Sequence, residues 1–311
     1  MPDLTAIAAQ WGTVDHAPKL IAERENVVYE ATIDGQRLAL RLHRAGYQSR
    51  AAIESELTWT ARLAEVGFPC ARPTPMPTGA LLLPLDDGRH ASAVSWIDGR
   101  EIGDSLDDPN LPDTALSALF HAIGALLAAL HSATDAVETS DLTRPAWDAE
   151  ALLGPDPLWG RFWENPSLTA DEADLLKRTK SAAYETLLAM ESPDAGLIHA
   201  DALQENILET PAGLALIDFD DAGFGYRAYD LGVAMVQHYD DPQRAMMEEA
   251  LLAGYATLRP APDRATLHLF TLCRALASCG WIISRYTDPA YTRAQADRAL
   301  VCAREWWAAQ G

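Results

Sequence analysis

The chain is predicted to be an α+β protein in two lobes, a small β-rich one over residues 1–97 and a larger, mainly helical one over residues 98–311. Two observations carry this. Short turn sequences separate alternating apolar segments in the first hundred residues, and beyond Gly99 the apolar residues recur every three to four positions. A length of 311 residues with 49% hydrophobic side chains is enough to bury a substantial core.

The first element is a hairpin. Val27 to Ile33 and Gln36 to His43 flank Asp34-Gly35, a dipeptide suited to the two-residue turn that matches strand twist. Ser49 to Val66 then places Ile53, Leu57, Ala61 and Ala64 at helical spacing, with Ser49 as N-cap. Gly67 to Thr78 holds Pro69, Pro73, Pro75 and Pro77, a density that propagates neither a helix nor a central strand, so it is a connector. Ala80 to Leu85 and His90 to Trp96 flank Asp86-Asp87-Gly88, the second hairpin signal. Thr114 to His131 carries Leu116, Phe120, Ile123, Leu127 and Leu130 on one broad face and reads as a core helix. Further helices are expected over Thr169–Met190, Pro242–Leu258, Asp263–Tyr286 and Thr292–Ala309, with one strand-like region between them, Ile207–Phe219. The Trp306-Trp307 pair reads as helix packing.

Composition narrows the function. Forty-five acidic against 24 basic side chains give a formal charge of −21, which repels phosphate backbones and anionic membrane surfaces and disfavours a nucleic-acid partner. Cys70, Cys273, Cys279 and Cys302 have neither paired metal spacing nor a disulfide framework, which suits a reducing cytoplasm. The N-terminus has no basic segment leading into an apolar one, and uninterrupted apolar runs stop short of the ~20 residues of a membrane span.

Chemistry concentrates in LIHADALQENIL, residues 197–208. Polar groups set among apolar ones are either bonded into the frame or held for a reaction. Asn206–Glu209 and Leu214–Asp218 flank Thr210-Pro211-Ala212-Gly213 and should pair antiparallel, with Asn206 opposite Ile217 or, through a bulge at Gly213, opposite Asp218. Asp201 enters the same hairpin. Two carboxylates and an amide oxygen are hard ligands suited to Mg²⁺, which commonly bridges to substrate phosphates. Phosphoryl transfer asks of a protein mainly a metal clamp, a base for the attacking hydroxyl and a cation on the nucleotide. Asp201 suits the base; Asn206 and Asp218 suit the metal.

His199-x-Asp201, Asn206, Ile217-Asp218-Phe219-Asp220 and Asp230-Leu231-Gly232 resemble the signature of the aminoglycoside phosphotransferase and choline kinase family, relatives of protein kinases, and the lobe order agrees over most of the chain. The resemblance implies a protein-kinase-like fold and an ATP- and Mg²⁺-dependent transfer of the γ-phosphoryl group to a hydroxyl. It implies Asp201 as catalytic base, Asn206 and Asp218 as magnesium ligands and His199 as an organiser of the backbone. It also places Arg41 at the phosphate-binding position with Glu56 as its ion-pair partner, Leu208 and Ile217 against the adenine, and Ser95-Trp96-Ile97 as the hinge at its edge. Asp230 reads as a structural acid for the catalytic loop; Asp220 and Asp221 read as solvated acids or parts of a site for a cationic substrate. The chain departs from the family in two places. Arg41 replaces a lysine, and Ala200 stands where glycine is common, which the motif accommodates if Ala200 has φ below zero. Glu23-Arg24-Glu25-Asn26 holds no glycine-rich phosphate loop. The acceptor stays open among an amino alcohol such as homoserine or choline, a sugar or aminoglycoside, and a protein Ser/Thr as in the bacterial stress-response branch; a nucleotide-binding pseudokinase and a purely structural helical protein are the rivals.

Overall fold

The computed structural model describes residues 3–23, 26–285 and 288–310; Arg24 and Glu25 of the segment without glycines, and Tyr286 at the end of an expected helix, lie outside them. In chain order the elements are α1 (Leu4–Ala8), β1 (Val14–Glu23), β2 (Val27–Ile33), β3 (Gln36–Leu42), α2 (Arg50–Glu65), β4 (Leu82–Pro84), β5 (His90–Ser95), β6 (Arg100–Glu101), α3 (Ile102–Leu106), α4 (Asp113–Asp135) and β7 (Ala146–Trp147). There follow α5 (Ala149–Leu153), α6 (Ala170–Leu188), β8 (Ala195–Ile198), β9 (Ile207–Thr210), β10 (Gly213–Leu216), β11 (Gly223–Tyr226), α7 (Arg227–Met235), α8 (Arg244–Tyr255), α9 (Arg264–Trp281) and α10 (Pro289–Ala309). The chain divides into two compact units, each assembled from separate stretches: Met1–Arg100, Ala136–Arg144 and Leu208–Asp220 form one, and Glu101–Asp135, Pro145–Ile207 and Asp221–Gly311 the other.

The first unit is built on a five-stranded antiparallel sheet in the order β1-β2-β3-β5-β4. The β2–β3 turn falls on Asp34 and Gly35, both at positive φ (48° and 73°), as a twist-matched two-residue hairpin requires. Helix α2 starts where Ser49 Oγ accepts the Ala52 N–H at 3.1 Å, and it buries Ile53, Leu57, Trp59 and Leu63. The proline-rich connector lies along the sheet edge through a bridge between Pro73 and Val94. Two elements were not expected from sequence, α1 and β1. Strand β1 sits at the sheet edge with Pro18 within it and mostly exposed side chains, so it lacks the alternation that marks a half-buried strand.

The second unit is mainly helical. Helices α4 and α8 cross at contact distance because both present glycine there: a Cβ on Gly124 would stand 2.0 Å from Leu251 O, and one on Gly254 would stand 1.9 Å from His121 O. Helix α9 packs between α7 and α10, and its buried residues run almost without break from Leu267 to Gly280. Trp306 is buried and Trp307 Nε1 donates to Thr179 Oγ1 at 2.9 Å, so this pair packs α10 on α6. Contrary to the expectation of a single strand-like region past Gly99, the unit also holds a three-stranded sheet, β7-β11-β8. Its strands have two to four residues, too few for a period to show. Two helices reach further towards membrane-span length and apolarity than the uninterrupted runs indicated, Asp113–Asp135 and Arg264–Ser284, with mean hydropathy 1.6 and 1.4. Their apolar side chains line this unit's own interior.

Candidate active site

In the second unit, β8 delivers its last residue, Ile198, into the sheet opposite Gly223 of β11, and the chain leaves as His199-Ala200-Asp201. The first turn of α7 places Asp230 beneath this loop, fully buried. Its Oδ2 accepts the His199 N–H at 2.9 Å and its Oδ1 accepts the Ala200 N–H at 2.7 Å. Two successive N–H groups thus close on one carboxylate, an anion-binding concavity that needs a left-handed residue. Ala200 is that residue, at φ 64°, so the condition of a negative φ is not met, and the loop's bonds to Asp230 form with Ala200 left-handed. The conformation costs an L-residue about 1–2 kcal/mol, and the buried carboxylate holds it there. Asp230 also meets His131 Nε2 at 3.1 Å, while His131 Nδ1 meets the Tyr255 hydroxyl at 2.9 Å. Burial pushes the Asp230 carboxyl up, but His131 and the loop N–H outweigh it and the net shift is downward; burial also lowers His131. The consistent protonation is an ionised Asp230 facing a neutral His131 that donates from Nε2. His199 contributes as the resemblance implies, its Nδ1 accepting the Asp201 N–H at 3.2 Å.

Asp201 and Asn206 are brought together directly. Asn206 ends a 3₁₀ turn over Gln204–Asn206, one residue before β9 begins at Ile207. Its Nδ2 donates to Asp201 O at 2.8 Å and to Asp201 Oδ2 at 2.9 Å. With both amide hydrogens engaged, Oδ1 is the atom left to act as a ligand, and an amide oxygen is chemically suited to a hard cation. The other oxygen of Asp201, Oδ1, accepts from Arg274 Nη2 at 2.7 Å.

In the first unit, β3 and α2 bring Arg41 and Glu56 together as expected, Nη1 to Oε1 at 2.6 Å, with both side chains buried. The second arm of the fork reaches Asp218: Nη2 donates to Oδ1 at 3.1 Å. Burial works against the Arg41 charge, but Glu56, Asp218 and Asp220 together hold its pKa above the ordinary value. Asp218 stands two residues past β10 at φ 59° with its side chain 48% exposed, so the carboxylate keeps access to solvent while tied to Arg41. Asp220 is not a solvated acid: it is 5% exposed and 3.8 Å from Arg41 Nη2. Arg144, absent from the sequence reading, braces this segment by donating to Ala52 O at 2.9 Å and Asp220 O at 2.5 Å. The residues expected around a nucleotide base share this unit. Ser95 ends β5 and accepts the Arg72 N–H at Oγ, Trp96 lies under the Arg37 guanidinium at 4.2 Å, Ile97 is half-buried, Leu208 is buried in β9 and Ile217 is half-buried after β10.

Arg274 and His131 also escaped the sequence reading. The one signal for Arg274 is a cation inside an otherwise apolar helix stretch; His131 looked like the end of a core helix.

Comparison with known proteins bears on the family and the fold. The model of the phosphotransferase enzyme family matches residues 18–270. The amicoumacin kinase of Bacillus subtilis (strain 168) is 25% identical over 265 residues, 81% of this chain and 75% of its own. A homoserine kinase of Agrobacterium fabrum (strain C58) is 29% identical over 233 residues, 73% of this chain and 66% of its own. Among solved structures, a microcompartment-associated aminopropanol kinase superposes with a TM-score of 0.84 at 28% identity, covering 99% of both chains.

Proposed function

We propose, for a chain that belongs to the phosphotransferase enzyme family and is an ATP-dependent phosphotransferase acting on small-molecule hydroxyls, that the acceptor is a small amino alcohol and that Mg²⁺ accompanies the nucleotide. Two of the similar proteins are named for such compounds, homoserine and aminopropanol. The observation that carries the reading is the Asp201–Asn206 pair. An acid with one oxygen held by an amide, and that amide's own oxygen left over, supplies both an acceptor for a hydroxyl proton and a ligand for a hard cation.

In this reading Asp201 accepts the hydrogen bond of the acceptor hydroxyl and orients its oxygen, and it takes the proton as that oxygen bonds the γ-phosphorus and the bond from the γ-phosphorus to the ADP oxygen breaks, releasing ADP. Asn206 and Asp218 would hold Mg²⁺, which would offset phosphate charge. Arg41 presents its guanidinium to the nucleotide phosphates, steadied by Glu56. Leu208, Ile217 and the segment Ser95-Trp96-Ile97 receive the base.

The test is ADP release from Mg·ATP against a panel of homoserine, aminopropanol, choline and an aminoglycoside, with Asp201→Asn as control. Turnover confined to amino alcohols and lost in the control is the expected result. Nucleotide binding with no turnover on any member, or a preference for the aminoglycoside, would overturn it.

A further inference from the structure

Asp201 has a partner that lies outside every motif residue. Arg274 stands in the middle of α9 and is 4% exposed. Its Nη2 donates to Asp201 Oδ1 at 2.7 Å, its Nη1 donates to Ala200 O at 3.3 Å, and its guanidinium carbon lies 4.6 Å from the centroid of the Trp159 ring. A guanidinium sent into an apolar helix face is costly without compensation, and here it has three contacts, a carboxylate, a carbonyl and an aromatic face, with Tyr229 and Asp221 also favouring its charge. Two of the three belong to consecutive residues of the loop that carries the acid.

We propose that Arg274 is a positioning residue for phosphoryl transfer: it fixes the rotamer of Asp201 by gripping Oδ1 while it anchors the carbonyl of left-handed Ala200. The inference rests on the reading of Asp201 given above. With Asn206 on Oδ2 and Arg274 on Oδ1, the carboxylate plane is held from both sides. Such a carboxylate is well oriented. That suits a transfer in which aligning the nucleophile matters more than early removal of its proton. The rigid fork makes the arrangement specific to arginine. A lysine can reach Asp201 Oδ1 or Ala200 O as a point charge, and it neither spans both nor stacks on Trp159 in the same way.

The experiment compares wild type, Arg274→Lys, Arg274→Gln and Trp159→Leu on an acceptor that wild type turns over, measuring kcat and the KM for Mg·ATP, with thermal melting as a check on folding. Arg274→Gln should lose about a hundredfold in kcat, the scale of a small misplacement of a reacting group, with KM for Mg·ATP within about twofold. Arg274→Lys should recover part of that loss, and added guanidinium ion should partly rescue Arg274→Gln. Trp159→Leu should fall between Arg274→Lys and wild type. A folded Arg274→Gln with wild-type kcat overturns the proposal. So does a parallel loss of kcat, Mg·ATP affinity and melting temperature that neither lysine nor guanidinium relieves, since that is the mark of a purely structural ion pair. If Arg274→Gln does not fold, Arg274→Lys decides, and a kcat equal to wild type counts against the two-point grip. Wild type inactive on every acceptor instead defeats the proposed function, and this inference with it.

Discussion

At the scale of single residues, the roles assigned to the two acids separate in a binding experiment. Asp201→Asn keeps one acceptor oxygen but turns the other into a donor that faces Asn206 or Arg274, so transfer should fall by about 10²–10⁴ while Mg·ATP still binds. Asp218→Ala removes a charged ligand, and metal-dependent nucleotide affinity should drop by about tenfold or more, read by calorimetry with and without Mg²⁺. Equal loss of binding in both variants would contradict the division. Ala200 offers a second check. Its left-handed φ of 64° means that Ala200→Gly relieves about 1–2 kcal/mol of backbone cost, offset by the chain entropy that glycine brings and by the lost buried methyl. The net change should lie within about 0.5 kcal/mol of zero. Ala128→Gly in the interior of α4 has no such relief and should cost about 1 kcal/mol or more, both measured by urea unfolding. His199, Asp201 and Asn206 were legible in sequence because their bonds are local, spanning two to five residues. Arg274, Arg144 and His131 were not, because their partners lie 73, 76 and 99 residues away and no spacing rule connects them.

At the scale of elements, legibility followed length and burial. The β2–β3 hairpin, α2 with its Ser49 cap, and the long helices carry strong periods and their stop signals, and they stand where the sequence placed them. The edge strand β1 and the short strands β7, β8 and β11 have none; they exist because tertiary neighbours supply their hydrogen bonds. The end of β3 makes a stability prediction. His43 follows the strand directly, is 2% exposed and bonds Ser92 Oγ through Nε2 at 2.8 Å. Burial, with Arg41 nearby, pushes its pKa down to about 2. A group whose folded pKa is depressed contributes stability that is complete above its unfolded value, near 6.5, and is lost as the pH falls towards 2. One proton taken up only on unfolding amounts to about 1.4 kcal/mol per pH unit below that point. Against His43→Gln, wild type should therefore show a steeper fall of unfolding free energy between about pH 6 and pH 4 by that slope. Parallel curves for the two proteins would show that His43 takes up its proton alike in the folded and unfolded states, against a buried neutral imidazole.

At the scale of the whole molecule, the formal charge of −21 acts on substrates before any contact is made. It attracts a cation and repels Mg·ATP, itself an anion, over a range set by the Debye length, about 30 Å at 0.01 M salt and about 8 Å at 0.15 M. The two substrates should therefore respond to salt with opposite sign. For a cationic acceptor such as aminopropanol, kcat/KM should fall by a few-fold across that range as attraction is screened. For Mg·ATP at fixed free Mg²⁺, KM should fall over the same range as repulsion is screened. Homoserine carries both charges and no net one, so its kcat/KM should stay nearly level. The contrast also reports on the acceptor. If aminopropanol and homoserine are both turned over, the salt response of each follows its own net charge, and the acidic surface then sets encounter while Asp201, Asn206 and Arg274 set the chemistry. A cationic acceptor whose kcat/KM does not change with salt would mean that the charge lies away from its path of approach, and that selection among amino alcohols comes from contacts with the bound molecule alone.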